Sequence, residues 1–150
     1  MGAEVEYIRR VYYYETDRMG IVHHSNYIRW MEEARIEFMR ENGADYEGVE
    51  KKGVLIPVTG VSCTYRRSAF FGDTVRVCVR LMSCTGARAA FSYRMYDADS
   101  GELLAEGESG HCFIDAETHR PVNAKRRLPE EYATLAALVS EGQEGESDRK

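Results

Sequence analysis

The chain reads as an α+β protein in which one antiparallel β-sheet curls around a single long helix. Two observations predict this. A helical period of apolar residues holds from about Asn26 to Glu41, and the chain beyond it switches to a period of two. The order is strand, long helix, then four long strands joined mostly by short turns, which suits a continuous antiparallel sheet rather than alternating βαβ units.

The first strand is expected over Val5 to Tyr14. In the helix, Tyr27, Met31, Ala34 and Phe38 recur at offsets of four, three and four and share one face, with Trp30 at its edge. Arg29, Glu33, Glu37 and Arg40 form a narrow polar stripe. Ile28, Ile36 and Met39 add apolar surface beyond the main face, so the helix is expected to be buried on more than one side. Ser25 or Asn26 suits the N-cap, and Asn42-Gly43 supplies the stop. A second strand is expected over Val54 to Arg66. Val75, Val77, Val79 and Leu81 alternate with Arg76, Cys78 and Arg80 in a half-buried strand, and Ala89, Phe91, Tyr93 and Met95 repeat the pattern after a turn at Thr85-Gly86. Asp97-Ala98-Asp99-Ser100-Gly101 marks the next reversal. It lacks the later acidic ligand and the flanking helices of a calcium loop, and so reads as a turn. The last strand runs from Glu102 to Ile114, with Gly107 and Gly110 marking bulges or close backbone approach. A short helix follows from about Pro129 to Val139.

Length and composition bound the function. One domain over residues 1–140 accounts for nearly all of the 150, and residues 141–150, rich in Gly, Glu and Ser, are expected to be a disordered tail. The formal net charge is −5 with scattered basic residues, which leaves no general footprint for nucleic acid. Cys63, Cys78, Cys84 and Cys112 fall in or beside predicted strands without metal-ligand spacing. They read as small buried hydrophobes or inert thiols, which fits a reducing cytoplasm. Neither a signal peptide nor a membrane span is indicated.

The chemistry concentrates just ahead of the helix, in Tyr14-Glu15-Thr16-Asp17-Arg18-Met19-Gly20-Ile21-Val22-His23-His24-Ser25-Asn26-Tyr27, which runs straight into Ile28 to Arg35. A carboxylate, a flexible glycine and a histidine pair there can aim a base at a group held on a helix N-terminus, an arrangement suited to acyl transfer. The tyrosine-rich first strand, Thr16-Asp17-x-x-Gly20-Ile21-Val22 and His24-x-Asn26-Tyr27 resemble the hotdog-fold acyl-CoA thioesterases of the 4-hydroxybenzoyl-CoA thioesterase type, including the bacterial YbgC-like enzymes. The segments Tyr65 to Asp73 and Arg120 to Pro129 extend the likeness, which covers about residues 5 to 132.

That resemblance implies hydrolysis of acyl-CoA to a free acid and CoA, with no cofactor. Asp17 would be the catalytic carboxylate, attacking the carbonyl or activating water, and Gly20 would let the chain turn close to the substrate. Amides at the helix N-terminus, His24 or a neighbour, would hold the oxyanion. His24 is assigned to positioning substrate or oxyanion, and His23 to structure. A metal is not expected from this pair, because adjacent histidines seldom converge on one ion. Asn26 and Tyr27 are candidates for shaping the acyl pocket, with Asn26 equally explained as the N-cap and Tyr27 as core. Glu32 and Glu33 are most simply helix surface charges. Arg88 matches a region that contacts CoA phosphates in the resembled family, and Lys125, Arg126 and Arg127 form the only compact basic cluster.

Two other functions compete. Hotdog hydratases and dehydratases use Asp with His five residues later, or a His-Phe-Pro segment, whereas here His23 and His24 follow Asp17 at six and seven residues. A non-catalytic acyl-CoA or acyl-carrier binding protein would use the same pocket without Asp17. Both CoA and carrier-protein thioesters stay open as substrates. A single curled sheet leaves long edges that need covering, and the resemblance implies a homodimer or homotetramer with the site between subunits.

Overall fold

The computed structural model describes residues 4–139, so the expected tail at 141–150 lies outside the described residues. Strand β1 (Glu4–Arg10) leads through a 3-10 turn (Tyr13–Glu15) to helix α1 (Ser25–Glu41) and the short α2 (Tyr46–Lys51). Then come β2 (Val54–Leu55), β3 (Val58–Tyr65), β4 (Thr74–Cys84), β5 (Arg88–Asp97), β6 (Leu103–Cys112) and β7 (Ile114–Asp115). Helices α3 (Ala124–Arg127) and α4 (Pro129–Leu138) follow. Five strands make one sheet in the order β1-β4-β5-β6-β3, every neighbouring pair antiparallel, while β2 and β7 pair separately.

The core lies where the two periodicities meet. Val75, Val77, Val79 and Leu81 of β4 and Ala89, Phe91, Tyr93 and Met95 of β5 are buried in one cluster with Tyr27, Met31, Ala34 and Phe38 of α1. Phe38 meets Phe91 edge to face, with ring centroids 5.5 Å apart. Trp30 and Met39 are buried as well, but Ile36 is 43% exposed, so that flank of the helix is uncovered within the chain. Beneath the sheet runs a chain of buried hydrogen bonds. Arg35 donates to the hydroxyls of Tyr46 (3.0 Å) and Tyr93 (3.1 Å), Tyr93 meets Ser109 Oγ at 2.6 Å, and Ser109 meets His111 Nε2 at 2.8 Å.

Several elements differ from expectation, each for a local reason. The first strand stops at Arg10 rather than Tyr14, because the Glu15 side chain folds back to accept the Tyr12 amide at 2.9 Å and winds the tyrosines into the 3-10 turn. The strand expected over 54–66 breaks between Leu55 and Val58, at Pro57, which has no N–H for a ladder. Neither Ser25 nor Asn26 caps α1; both lie inside it, and His24 takes the N-cap position. The capping acceptor is instead His23 Nδ1, which receives the Ser25 amide at 3.2 Å. Helix α2 was not anticipated, since six residues are too few to show a period. The C-terminal stop fits the sequence reading, with Asn42 at the C-cap and Gly43 at φ +79°.

Both glycines flagged in β6 have structural work. A Cβ on Gly107 would sit 2.3 Å from the Ser62 carbonyl oxygen and 3.0 Å from Met31 Cε, so β3 and α1 both close onto bare backbone there. Gly110 lies beside the irregularity where β3 steps from Val58 to Gly60. The sheet's two edges contrast in chemistry. β1 carries Glu4, Glu6, Arg9 and Arg10, whereas β3, Val58-Thr59-Gly60-Val61-Ser62-Cys63-Thr64-Tyr65, has no charge and is exposed at every position except the half-buried Cys63.

Candidate active site

The segment ahead of α1 folds into a tight hairpin. Thr16 bridges Val22 in antiparallel fashion, the Asp17 amide donates to the Ile21 carbonyl at 2.8 Å, and the Gly20 amide donates back to the Asp17 carbonyl at 2.9 Å. The turn requires φ +82° at Gly20, a conformation that is costly for any residue with a Cβ. The returning limb docks on the loop before β4, where Ile21 bridges Phe70 and the Val22 amide donates to Ala69 at 2.9 Å. At the tip, Asp17 Oδ1 accepts the Met19 amide at 2.8 Å. Among the described residues nothing donates to Oδ2, so one carboxylate oxygen is held and the other is free.

The helix entrance follows directly. The ring of His24 stacks on that of His23 with centroids 4.3 Å apart, and both side chains are exposed. The His24 carbonyl accepts the Tyr65 hydroxyl at 3.1 Å, while its amide donates to no acceptor among the described residues. Burial, then the neighbouring Cys63, pushes the Tyr65 phenol up to about 12, which keeps it a donor. Asn26 is buried, and its Nδ2 donates to the Glu15 carbonyl at 2.9 Å and the His23 carbonyl at 3.3 Å. Tyr27 is packed between Trp30 and Tyr65, with centroids 4.9 and 5.1 Å away. Burial raises its phenol pKa against the opposing hydrogen bond from Ala69.

Arg88 stands apart from this group. It opens β5 at the Cys84 end of β4, whereas the hairpin adjoins the Thr74 end, where Arg10 pairs with Thr74. Ten residue steps of strand separate those ends by roughly 33 Å. The turn before Arg88 abuts α3, for the Ala124 amide donates to Gly86 at 2.8 Å. The basic cluster therefore shares the Arg88 end, with Arg127 tied to Asp115 at 3.2 Å and Lys125 over the Tyr132 ring.

Sequence reasoning missed Glu15. Its side chain is 3% exposed, and Arg9 Nη1 lies 2.6 and 2.7 Å from its two oxygens. Trp30 Nε1 adds a donor at 3.1 Å. Burial alone would raise this carboxyl, but the Tyr12 amide, Arg9 and Trp30 together hold it below its usual range. The available signal was Trp30, since a buried indole N–H needs an acceptor and an acidic residue lay upstream. Beside this knot lies a cleft of about 500 Å³, bounded by Arg9, Glu15, His23, Asn26, Arg29 and Glu33. Asp17, His24 and Tyr27 do not line it. Among the described residues no three His, Cys, Asp or Glu side chains gather where they could hold a metal ion, and no helix is long and apolar enough to cross a membrane.

A long antiparallel sheet wrapped on one helix is the architecture of the hotdog fold. The chain belongs to the thioesterase-like superfamily, whose family model matches residues 11–135. Bacillus subtilis YneP, named a putative acyl-CoA thioesterase, is 35% identical over 120 residues, 80% of this chain and 86% of that protein. Escherichia coli YbgC, named an acyl-CoA thioester hydrolase, is 29% identical over 80% of this chain and 86% of its own. The structure of the DHNA-CoA thioesterase from Staphylococcus aureus superposes with a TM-score of 0.87 at 26% identity, covering 98% of this chain and 95% of that one.

Proposed function

We propose that the protein hydrolyses acyl-CoA thioesters to a free acid and coenzyme A, with Asp17 as the reacting carboxylate. The observation that carries this reading is the Asp17 hairpin itself: a carboxylate with one oxygen fixed by Met19 and one free, on the turn that feeds α1. The names of the relatives point to the same substrate class.

Thioester hydrolysis needs a polarised carbonyl and an activated oxygen, and little help for a thiolate that already leaves well. The unpartnered His24 amide, backed by the helix dipole, suits the developing oxyanion. Asp17 Oδ2 can take a proton from water as that water adds to the carbonyl carbon, after which the C–S bond breaks and the thiolate departs. Alternatively Oδ2 itself adds to the carbonyl carbon, the C–S bond breaks and the thiolate departs, and water then opens the resulting acyl anhydride to the free acid and the Asp17 carboxylate. Gly20 keeps the hairpin tip narrow, and Tyr65 pins the carbonyl of the residue whose amide does the work.

The site works between two copies of the chain. An uncharged, exposed eight-residue edge such as β3 would invite aggregation unless paired, whereas the charged β1 edge protects itself. Antiparallel pairing of β3 with its copy sets the Tyr65 end of one chain beside the Val58 end of the other. That end carries Arg88 and the Lys125-Arg126 pair, suitably placed for the phosphates of a CoA whose thioester lies at the other chain's Asp17.

A panel of acyl-CoA esters, followed by direct thioester absorbance because Cys63, Cys84 and Cys112 are only half-buried and could react with a thiol dye, tests the reading. Turnover of at least one ester is the expected result. Binding without hydrolysis of any would refute it.

A further inference from the structure

We propose that Glu15 is the positioning residue of the Asp17 site, clamping the hairpin to the helix entrance so that the Asp17 carboxylate and the His24 amide keep one relative geometry. The inference rests on the reading of Asp17 as the reacting group.

The clamp works through both ends of the residue. Its carboxylate takes donors from three places: Arg9 on β1 (2.6 and 2.7 Å), the Tyr12 amide at the 3-10 turn (2.9 Å) and Trp30 Nε1 on α1 (3.1 Å). Its backbone carbonyl takes two more, the His23 amide (2.8 Å) and Asn26 Nδ2 (2.9 Å). The His23 bond is the rung next to the Thr16 and Val22 bridge, so Glu15 closes the base of the hairpin from both limbs. Arg9 is held in turn by Glu33 Oε1 at 2.9 Å, which also accepts the Tyr7 hydroxyl at 3.0 Å. The guanidinium lies over the rings of Trp30 and Tyr12 at 5.2 and 5.3 Å.

Stability alone does not account for a carboxylate here. An apolar residue of similar volume commonly supports a buried site as well as an ion pair does, because the pair must be desolvated. A carboxylate with directional donors on a strand, a turn and a helix does something an apolar side chain cannot, which is to fix orientation. Orientation is what a carboxylate and an oxyanion donor on separate elements require, since a misplacement near 1 Å costs on the order of 100-fold in rate.

The test uses Glu15→Gln and Trp30→Phe in the full chain, with two readouts: steady-state kinetics on a hydrolysed acyl-CoA, and the backbone amide resonances of residues 17–24. Glu15→Gln is expected to lower kcat at least about 10-fold with KM within about threefold, while the amides of Asp17, Gly20 and His24 shift or broaden and those of β5 stay in place. Trp30→Phe removes one donor and moves both readouts less, in the same direction; if Glu15→Gln does not fold, this variant decides. Unchanged kcat in the folded variants, or hairpin amides that do not move, would overturn the proposal. Wild-type turnover in Asp17→Asn would overturn the underlying reading instead, and the amide resonances would still decide whether Glu15 holds the hairpin.

Discussion

At the scale of residues, neighbours two apart in sequence meet opposite fates. Asp17 and Glu15 both stand in one polar run, yet one is half-buried on a turn with a free oxygen and the other is sealed by Arg9 and Trp30. Asp17 was legible as a candidate because a recognisable spacing surrounds it. Glu15 was not, since burial of a carboxylate depends on donors 6 and 15 residues away that no local pattern announces. The same holds for Tyr65, whose bond to the His24 carbonyl spans 41 residues. Removing only that hydroxyl, in Tyr65→Phe, should keep the ring contact with Tyr27 and lower kcat about fivefold, the worth of one ordinary hydrogen bond. Gly20→Ala meets no atom within 4 Å, so its cost is backbone strain alone, about 1–2 kcal/mol in chemical denaturation.

At the scale of elements, the helix and the long strands were readable because each repeats its period over enough residues to stand above noise. What escaped were short or contextual features: the six residues of α2, the 3-10 turn wound by Glu15, and the His23 ring standing in for a cap. The β6 glycines were readable as places of close approach, but which backbone approaches was not. Gly107 faces the Ser62 carbonyl and Met31 at once, so Gly107→Ala must push β3 or α1 outward. An unfolding free energy lower by about 1–3 kcal/mol is expected from denaturant titration, and an unchanged midpoint would mean the strands give way without cost.

At the scale of the whole molecule, the Asp17 hairpin and Arg88 lie at opposite ends of the sheet, which a sequence reading could not show; the proposed pairing of two copies would bring one chain's Arg88 toward the other's Asp17. If two copies share each site as proposed, mixing Asp17→Asn with Arg88→Ala should restore activity toward a quarter of the wild-type level, because half the molecules become heterodimers with one intact site each. No recovery would place Arg88 outside the site. The fold also carries a pH dependence through His111, pushed down to about 4 by burial and then by Arg35. The unfolded histidine binds its proton nearer 6.5, so its contribution is full above that pH and is lost as pH falls from 6.5 toward 4. Melting curves across that window should show roughly 1–3 kcal/mol of lost stability, largely absent in His111→Gln. The account stands or falls most directly on kcat for Asp17→Asn with acyl-CoA binding measured alongside. A fall of at least about 100-fold with binding intact is predicted, and turnover near wild type would contradict it.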